Sequence, residues 1–534
     1  MGVLGLFLVV WLAAGWSQAH LMDNLVGAAS LPTCPAQLHA AHRRHLLTTA
    51  PMPPSVRGRW ISSRCETRPG PQYILRSYTF HRDGSFLLSL HTYRDPSCAH
   101  PARSLMARGN LTLGRPSWIT PGGTEAEYTL SKVEVVGHSH QDAGKLALAV
   151  NATCPGKVTK PWKPHKAYVV LSYAEAANEV TEDEDCSRGL GSAWNELQLL
   201  RVEMTMQGHD SGAAAAAANR EETQQEGISD GNGSESPRII RKELFLGDLH
   251  TDPSKQELYR PTGYQTPLLH AKYAGACGGV CKAVERGTDD SPPHLHASPA
   301  LPLLLAGSWA SRRCETRPYG MFLTRHLEFS PTGHRWTMTL RHYHDPECTR
   351  PSFTLQASGI HRPASTLPSP ASPRHTFVTT YAHDFNVTRL LLTPEDEYLS
   401  RALNQYNKAD CGVKGSWVRG EAQDVTPTGG CAAVGVKVPA VKKEIVRTGV
   451  DETGRMWLTL GQTPTVKQLS GARRPTSWGP ELTSCRSYHA YHHDNALLPI
   501  VGARTASSAS AKHTLPPCTT LLALVVLLAA PRRP

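Results

Sequence analysis

One block of this chain occurs twice, and the repetition constrains the fold more than any other feature. Gly58-Arg-Trp60-Ile-Ser-Ser-Arg64-Cys65-Glu66-Thr67-Arg68-Pro69 returns as Gly307-Ser-Trp309-Ala-Ser-Arg312-Arg313-Cys314-Glu315-Thr316-Arg317-Pro318. Tyr93-Arg-Asp95-Pro96-Ser-Cys98-Ala-His-Pro101 returns as Tyr343-His-Asp345-Pro346-Glu-Cys348-Thr-Arg-Pro351. Further on, Arg260-Pro261-Thr262-Gly-Tyr264, with Pro267 and Cys277 after it, matches Arg474-Pro475-Thr476-Ser-Trp478, followed by Pro480 and Cys485. Order is kept over a whole domain's length, with the first two blocks at offsets of 249 and 250 and the third at 214, so the chain must fold as two similar modules from an internal duplication. The expected bounds are 55–288 for the first module, 289–302 for a Pro- and Ser-rich linker, and 303–487 for the second module.

Both modules read as strands. Phe86, Leu88 and Leu90 recur at every second position, and Trp336, Met338 and Leu340 hold the aligned positions of the second copy, the period of a half-buried strand. Tyr78 and Phe80, like Leu327 and Phe329, alternate just upstream, and Asp83-Gly84 and Thr332-Gly333 fall where a hairpin needs positive φ. With 43 Gly and 41 Pro the composition is turn-rich. The expected fold is all-β: two tandem antiparallel β-barrel-like modules, disulfide-bonded. Residues 208–237, with a six-Ala run and Gly-Asn-Gly-Ser, read as a disordered insertion in the first module.

The flanks point to the secretory pathway. Residues 1–19 have the apolar core and small-residue end of a signal peptide, and 20–54 form an N-terminal segment. Residues 488–514 read as a stalk and 515–534 as a C-terminal membrane anchor, either a short type I span or a glycolipid signal. The expected localisation is the cell membrane, facing outward. Asn110, Asn151, Asn232 and Asn386 open sequons for N-glycosylation. Of the 13 Cys, Cys518 lies beside the apolar tail, and the other twelve form an even set suited to an oxidising compartment. The repeat predicts Cys65–Cys98 and Cys314–Cys348, then Cys154–Cys186 and Cys411–Cys431. Cys277 is aligned with Cys485, and the partners of Cys34, Cys277, Cys281 and Cys485 stay open.

Catalytic motifs are scarce. The sequence has no Gly-x-Ser-x-Gly elbow, no His-Glu-x-x-His and no phosphate loop, and Glu125 and Glu127 read as solvated strand carboxylates. No metal is expected: His489, His492, His493 and Asp494 read as a polar stalk cluster, and Cys277 and Cys281 read as disulfide-bonded, to partners left open, and not as zinc ligands. Net charge is +11, which favours anionic glycans or membrane surfaces, yet no Lys/Arg run approaches a nucleic-acid-binding block.

The doubled Gly-x-Trp…Cys-Glu-Thr-Arg-Pro and Tyr-x-Asp-Pro-x-Cys signatures resemble the adenomatosis polyposis coli down-regulated family of membrane-tethered Wnt pathway inhibitors. Trp118-Ile-x-x-Gly-Gly-Thr-Glu125-Ala, the run Asn195 to Glu203, and Glu243-Leu-Phe-Leu-Gly-Asp-Leu-His-Thr-Asp252 carry the resemblance further. It implies two β-barrel-like modules and attachment to the cell surface, while the scarcity of catalytic motifs makes the expected protein a binder and not an enzyme, with no cofactor. The implied role is extracellular inhibition of Wnt signalling by binding Wnt and an LRP-type co-receptor, with an apolar cavity for the Wnt acyl chain. Phe86, Leu88, Leu90, Trp336, Met338 and Leu340 are the candidate pocket residues, since an inward apolar stripe is either packed core or ligand wall. The alternatives are a lipocalin-like extracellular lipid carrier, because Gly-x-Trp also opens lipocalin barrels, and a secreted-pathway hydrolase.

Overall fold

A computed structural model describes residues 31–173, 185–191, 194–206, 239–273, 277–296, 303–331, 334–366, 381–437, 441–451, 454–465 and 473–486. The expected signal segment, insertion, stalk, anchor, Thr332-Gly333 turn and stalk histidines lie outside the described residues, as do Asn232 and linker residues 297–302.

Each module is an antiparallel sheet closed on itself. In the first, eight strands form the ring: Gly58–Ile61, Gln72–Phe80, Ser85–Tyr93, Pro101–Pro116, Thr124–Gly137, Leu199–Met206, Ile239–Leu246 and Leu268–His270, which returns to the first. The second ring is closed by Gly307–Ser311, which pairs with Met321–Phe329 on one side and Leu482–Cys485 on the other. Closure leaves neither ring with a free edge to template aggregation.

The repeated residues are those that closure needs. Gly58 and Gly307 adopt φ of 109° and 108°, a region open mainly to glycine, and a Cβ at Gly58 would lie 2.3 Å from His270 Nε2. Two residues on, Trp60 and Trp309 are buried at the base of each core, and their indoles donate to Val56 O at 2.5 Å and Leu305 O at 2.9 Å. Burying the rings thus leaves no orphan N–H.

The Tyr-x-Asp-Pro-x-Cys motif builds a tight turn. Asp95 accepts from the amides of Ser97, Ala99 and His100, and Asp345 from those of Thr349 and Arg350. Each carboxylate holds its cysteine left-handed, at φ 55° for Cys98 and 57° for Cys348. Cys98 bonds Cys65 and Cys348 bonds Cys314, tying this turn to the Cys-Glu-Thr-Arg-Pro loop.

The structure also pairs Cys154 with Cys186, Cys411 with Cys431, Cys277 with Cys281, and Cys34 with Cys485. The alignment of Cys277 with Cys485 is corrected by the register. Trp60 pairs with His270 and Trp309 with Ser484, so Cys485 corresponds to Ala271, whereas Cys277 precedes an added helix, Gly278–Arg286. The N-terminal segment touches both modules: Cys34–Arg43 is a helix bonded to the second barrel, while Thr48–Thr49 pairs with Met204–Thr205 of the first. The described part of the linker lies on the first module, where Tyr93 donates to Pro293 O and Leu295 to Cys98 O.

Candidate functional site

Two buried polar networks grow out of the Cys-Glu-Thr-Arg-Pro loops. In the first barrel Ser62 donates to Glu66 at 2.6 Å, and Arg76 pairs with Glu66 at 2.8 Å and Glu196 at 2.5 Å. Glu196 also receives Arg68, Tyr78 at 2.7 Å and Gln265 at 2.6 Å. Burial pushes the Glu196 carboxyl up, but Arg68 and Arg76 outweigh it and hold the group at about 2. The second barrel repeats the pattern: Ser311 donates to Glu315 at 2.7 Å, and Glu315 receives Arg325 at 2.9 Å and Arg317 at 2.8 Å. A buried charge is tolerated when paired and hydrogen-bonded, so these networks fix the loops that carry Arg64 and Arg313.

Those two arginines, equivalent in the repeat, cross to the opposite barrel. Arg313 Nη2 donates to both carboxylate oxygens of Glu243 of the first barrel, at 3.1 and 3.0 Å, and the guanidinium lies over the Phe245 ring. Arg64 pairs with Glu481 of the second, near Arg447, which stacks on Trp457 and Trp478 at 5.1 and 4.7 Å. Between them Thr251 and Thr465 exchange bonds, each amide donating to the other's Oγ1 at 3.1 and 3.2 Å. Reciprocal contacts of this kind are the mark of an isologous, two-fold interface.

A cavity of about 270 Å³ lies along this contact, lined by both Cys-Glu-Thr-Arg-Pro loops and by Tyr264 and Trp478 of the matching later motifs. Glu243, on the first barrel's wall, faces three guanidinium groups: Arg313, Arg241 at 2.8 Å and Arg44 at 4.0 Å. Burial raises its carboxyl, yet Arg313 and Arg241 bring it down to about 2.

The six apolar candidates do not line this cleft. Phe86, Leu88 and Leu90 are buried in the first core, where Phe86 lies against Tyr78 and Phe80, and the void beside Leu88 and Leu90 holds only about 10 Å³. Trp336 is buried in the second core, whereas Met338 and Leu340 are half-buried at its margin. Asn110, Asn151 and Asn386 are exposed, as glycan acceptors require. Among the described residues, the one group of potential metal ligands is Cys34, His326 and Cys485, whose two sulfurs are joined as a disulfide.

Sequence reasoning quoted Glu66, Arg68, Glu315 and Arg317 as repeat markers and Glu243 within a segment of the family resemblance, none of them as a site, and passed over Arg76 and Arg325. The available signal was the identity of charged residues within a duplicated block, where a solvated surface would have drifted.

Six disulfides fit an oxidising, extracytoplasmic compartment. Among the described residues no helix is long and apolar enough to cross a membrane. The family model described as adenomatosis polyposis coli down-regulated 1 matches residues 33–296 and 298–490, one segment per barrel. That family is not known as one of enzymes, and membership is consistent with an extracellular protein of the Wnt pathway. On matches that span both barrels, the chain belongs to the adenomatosis polyposis coli down-regulated 1 family.

Proposed function

We propose that this protein is a non-catalytic, membrane-tethered inhibitor that binds Wnt and an LRP-type co-receptor outside the cell. The observation that carries the reading is the family match over both barrels, supported by the disulfide framework. A chain tethered through 515–534 and glycosylated at Asn110, Asn151, Asn232 and Asn386 would compete for Wnt at the cell surface.

The acyl chain of Wnt is received by the second barrel. The inter-barrel cavity is lined by charges, which disfavours an alkyl chain. In the first barrel Leu88 and Leu90 are 2% and 7% exposed and already packed. Met338 and Leu340 are half-buried, so a chain can reach them with less loss of native packing. Each methylene buried contributes about 0.8 kcal/mol, enough for a partly enclosed chain to dominate affinity.

The test is binding of purified ectodomain to Wnt with and without its acyl group, beside Met338→Glu in protein shown to be folded. Acyl-dependent binding, weakened by Met338→Glu, is expected. Equal binding in all arms sinks the acyl site. No Wnt binding, together with retained free lipid, would favour the lipid carrier.

A further inference from the structure

The inter-barrel cavity holds more positive than negative charge: eight arginines and six carboxylates line it. On the first barrel's side Arg44, Arg201, Arg241 and Arg313 share two carboxylates: Glu203, which meets Arg201 at 2.9 Å and Arg313 at 3.7 Å, and Glu243. On the second barrel's side Arg64 meets Glu481, and Arg312 lies 3.7 Å from Asp451. Arg68 and Arg317, 6% and 7% exposed, each keep a buried Nε–H with no hydrogen-bond partner, as do Arg44 and Arg241 at Nε and Arg313 at Nη1. A buried donor left unsatisfied costs about 1–3 kcal/mol, so several around one cavity call for an explanation.

Burial first, then Arg313, brings the Arg44 guanidinium down to about 10.

We propose that the cavity between the barrels is an anion site that takes a sulfate or phosphate ester group carried by a small extracellular molecule. Guanidinium groups present planar forks of N–H donors, and such forks match oxyanions. Here they come from the N-terminal segment and from both barrels. Several forks from several directions suit a tetrahedral oxyanion better than a planar carboxylate, whose two oxygens Glu243 already supplies to Arg313 and Arg241. The ligand bridges the barrels, so binding also strengthens their contact. This site does not depend on the Wnt reading.

The test is calorimetric titration of the purified full chain with sodium sulfate, inorganic phosphate, a sulfated disaccharide and inositol trisphosphate at constant ionic strength. One ligand per chain is expected for at least one of the four. Arg241→Gln and Arg44→Gln, which leave the Arg313–Glu243 pair in place, should each weaken binding about tenfold, the loss of one charge-assisted contact. Arg115→Gln, outside the cavity lining, should not change it. Equal affinity for the inorganic ions and the esters assigns the site to a free ion; preference for an ester assigns it to the carried group. No saturable binding of any of the four, or binding unaltered in both cavity variants while they remain folded, overturns the proposal.

Discussion

The amide of Tyr319 donates to Thr262 Oγ1 across the contact between the barrels at 2.9 Å. Its sequence counterpart, the amide of Gly70, donates to Thr476 Oγ1 at 3.0 Å in the opposite direction. Thr262 and Thr476 are the same position of the repeated Arg-Pro-Thr motif, and Gly70 and Tyr319 both follow the proline of Cys-Glu-Thr-Arg-Pro. The duplicated motifs therefore serve two ends. Within a barrel they close the ring and bury a charge network; between barrels they dock the copies as a C2 dimer docks two chains.

Equivalent positions need not be equivalent in energy. Arg313 engages Glu243, which is 1% exposed, whereas Arg64 meets Glu481 with nearly half its side chain in solvent. Arg313→Ala should cost about 3 kcal/mol, because it strips a partner from a buried carboxylate. Arg64→Ala should cost about 1 kcal/mol or less. Denaturant unfolding with disulfides intact measures both, and similar losses would refute the distinction.

The barrels were legible because a duplicated alternation fixes both period and register. Phe86 and Leu88 pair with Phe80 and Tyr78 as Trp336 and Met338 pair with Phe329 and Leu327. The cleft was not legible. Arg313 and Glu243 sit in different modules and far apart in sequence, and no local pattern announces that they meet. Cys34 and Cys485 escaped for the same reason: each lacks a counterpart in the other copy, so the repeat could not pair them.

The two apolar stripes should respond differently to truncation. Leu88→Ala opens a cavity in a packed interior and should cost about 3 kcal/mol. Met338→Ala, at a half-buried position, should cost about 1 kcal/mol. Thermal or denaturant unfolding of the single variants decides the matter. Equal costs would mean that the second stripe is as closely packed as the first, which removes the physical ground for placing a ligand there.

The Cys34–Cys485 bond closes a separation of 451 residues and fastens the Cys34–Arg43 helix to the second barrel. Loops this long gain most from a cross-link in the chain-entropy model, so the double variant Cys34→Ser with Cys485→Ser should lose about 4 kcal/mol. Proteolysis of the folded variant should then gain a cut within 31–47 that the parent chain resists. Unchanged stability and cleavage would show that Thr48–Thr49 and the His42–Tyr343 contact suffice to hold the segment.

Acid should destabilise the protein in two stages. Burial, reinforced by His138, lowers the His91 imidazole to about 4, and burial with Arg317 does the same to His342. Both folded values lie below the ordinary 6.5, so as pH falls from 6.5 towards 4 the unfolded chain takes up protons that the folded chain refuses. Stability is complete above 6.5 and declines below it, by about 1.4 kcal/mol per pH unit for each imidazole. Glu196 and Glu243, held at about 2 against an ordinary 4.5, add a second loss between those values, since their ion pairs vanish only on protonation. Denaturant midpoints measured from pH 7.5 to 3 should fall throughout the acid range. His342 stacks on Phe353 at 4.2 Å and its Nε2 has no hydrogen-bond partner, so His342→Phe should fit the site and lower the slope of the upper stage by one imidazole's share, about 1.4 kcal/mol per pH unit, while leaving the lower one intact. A profile that stays level down to pH 4.5, or an upper slope unaffected by His342→Phe, would contradict this assignment.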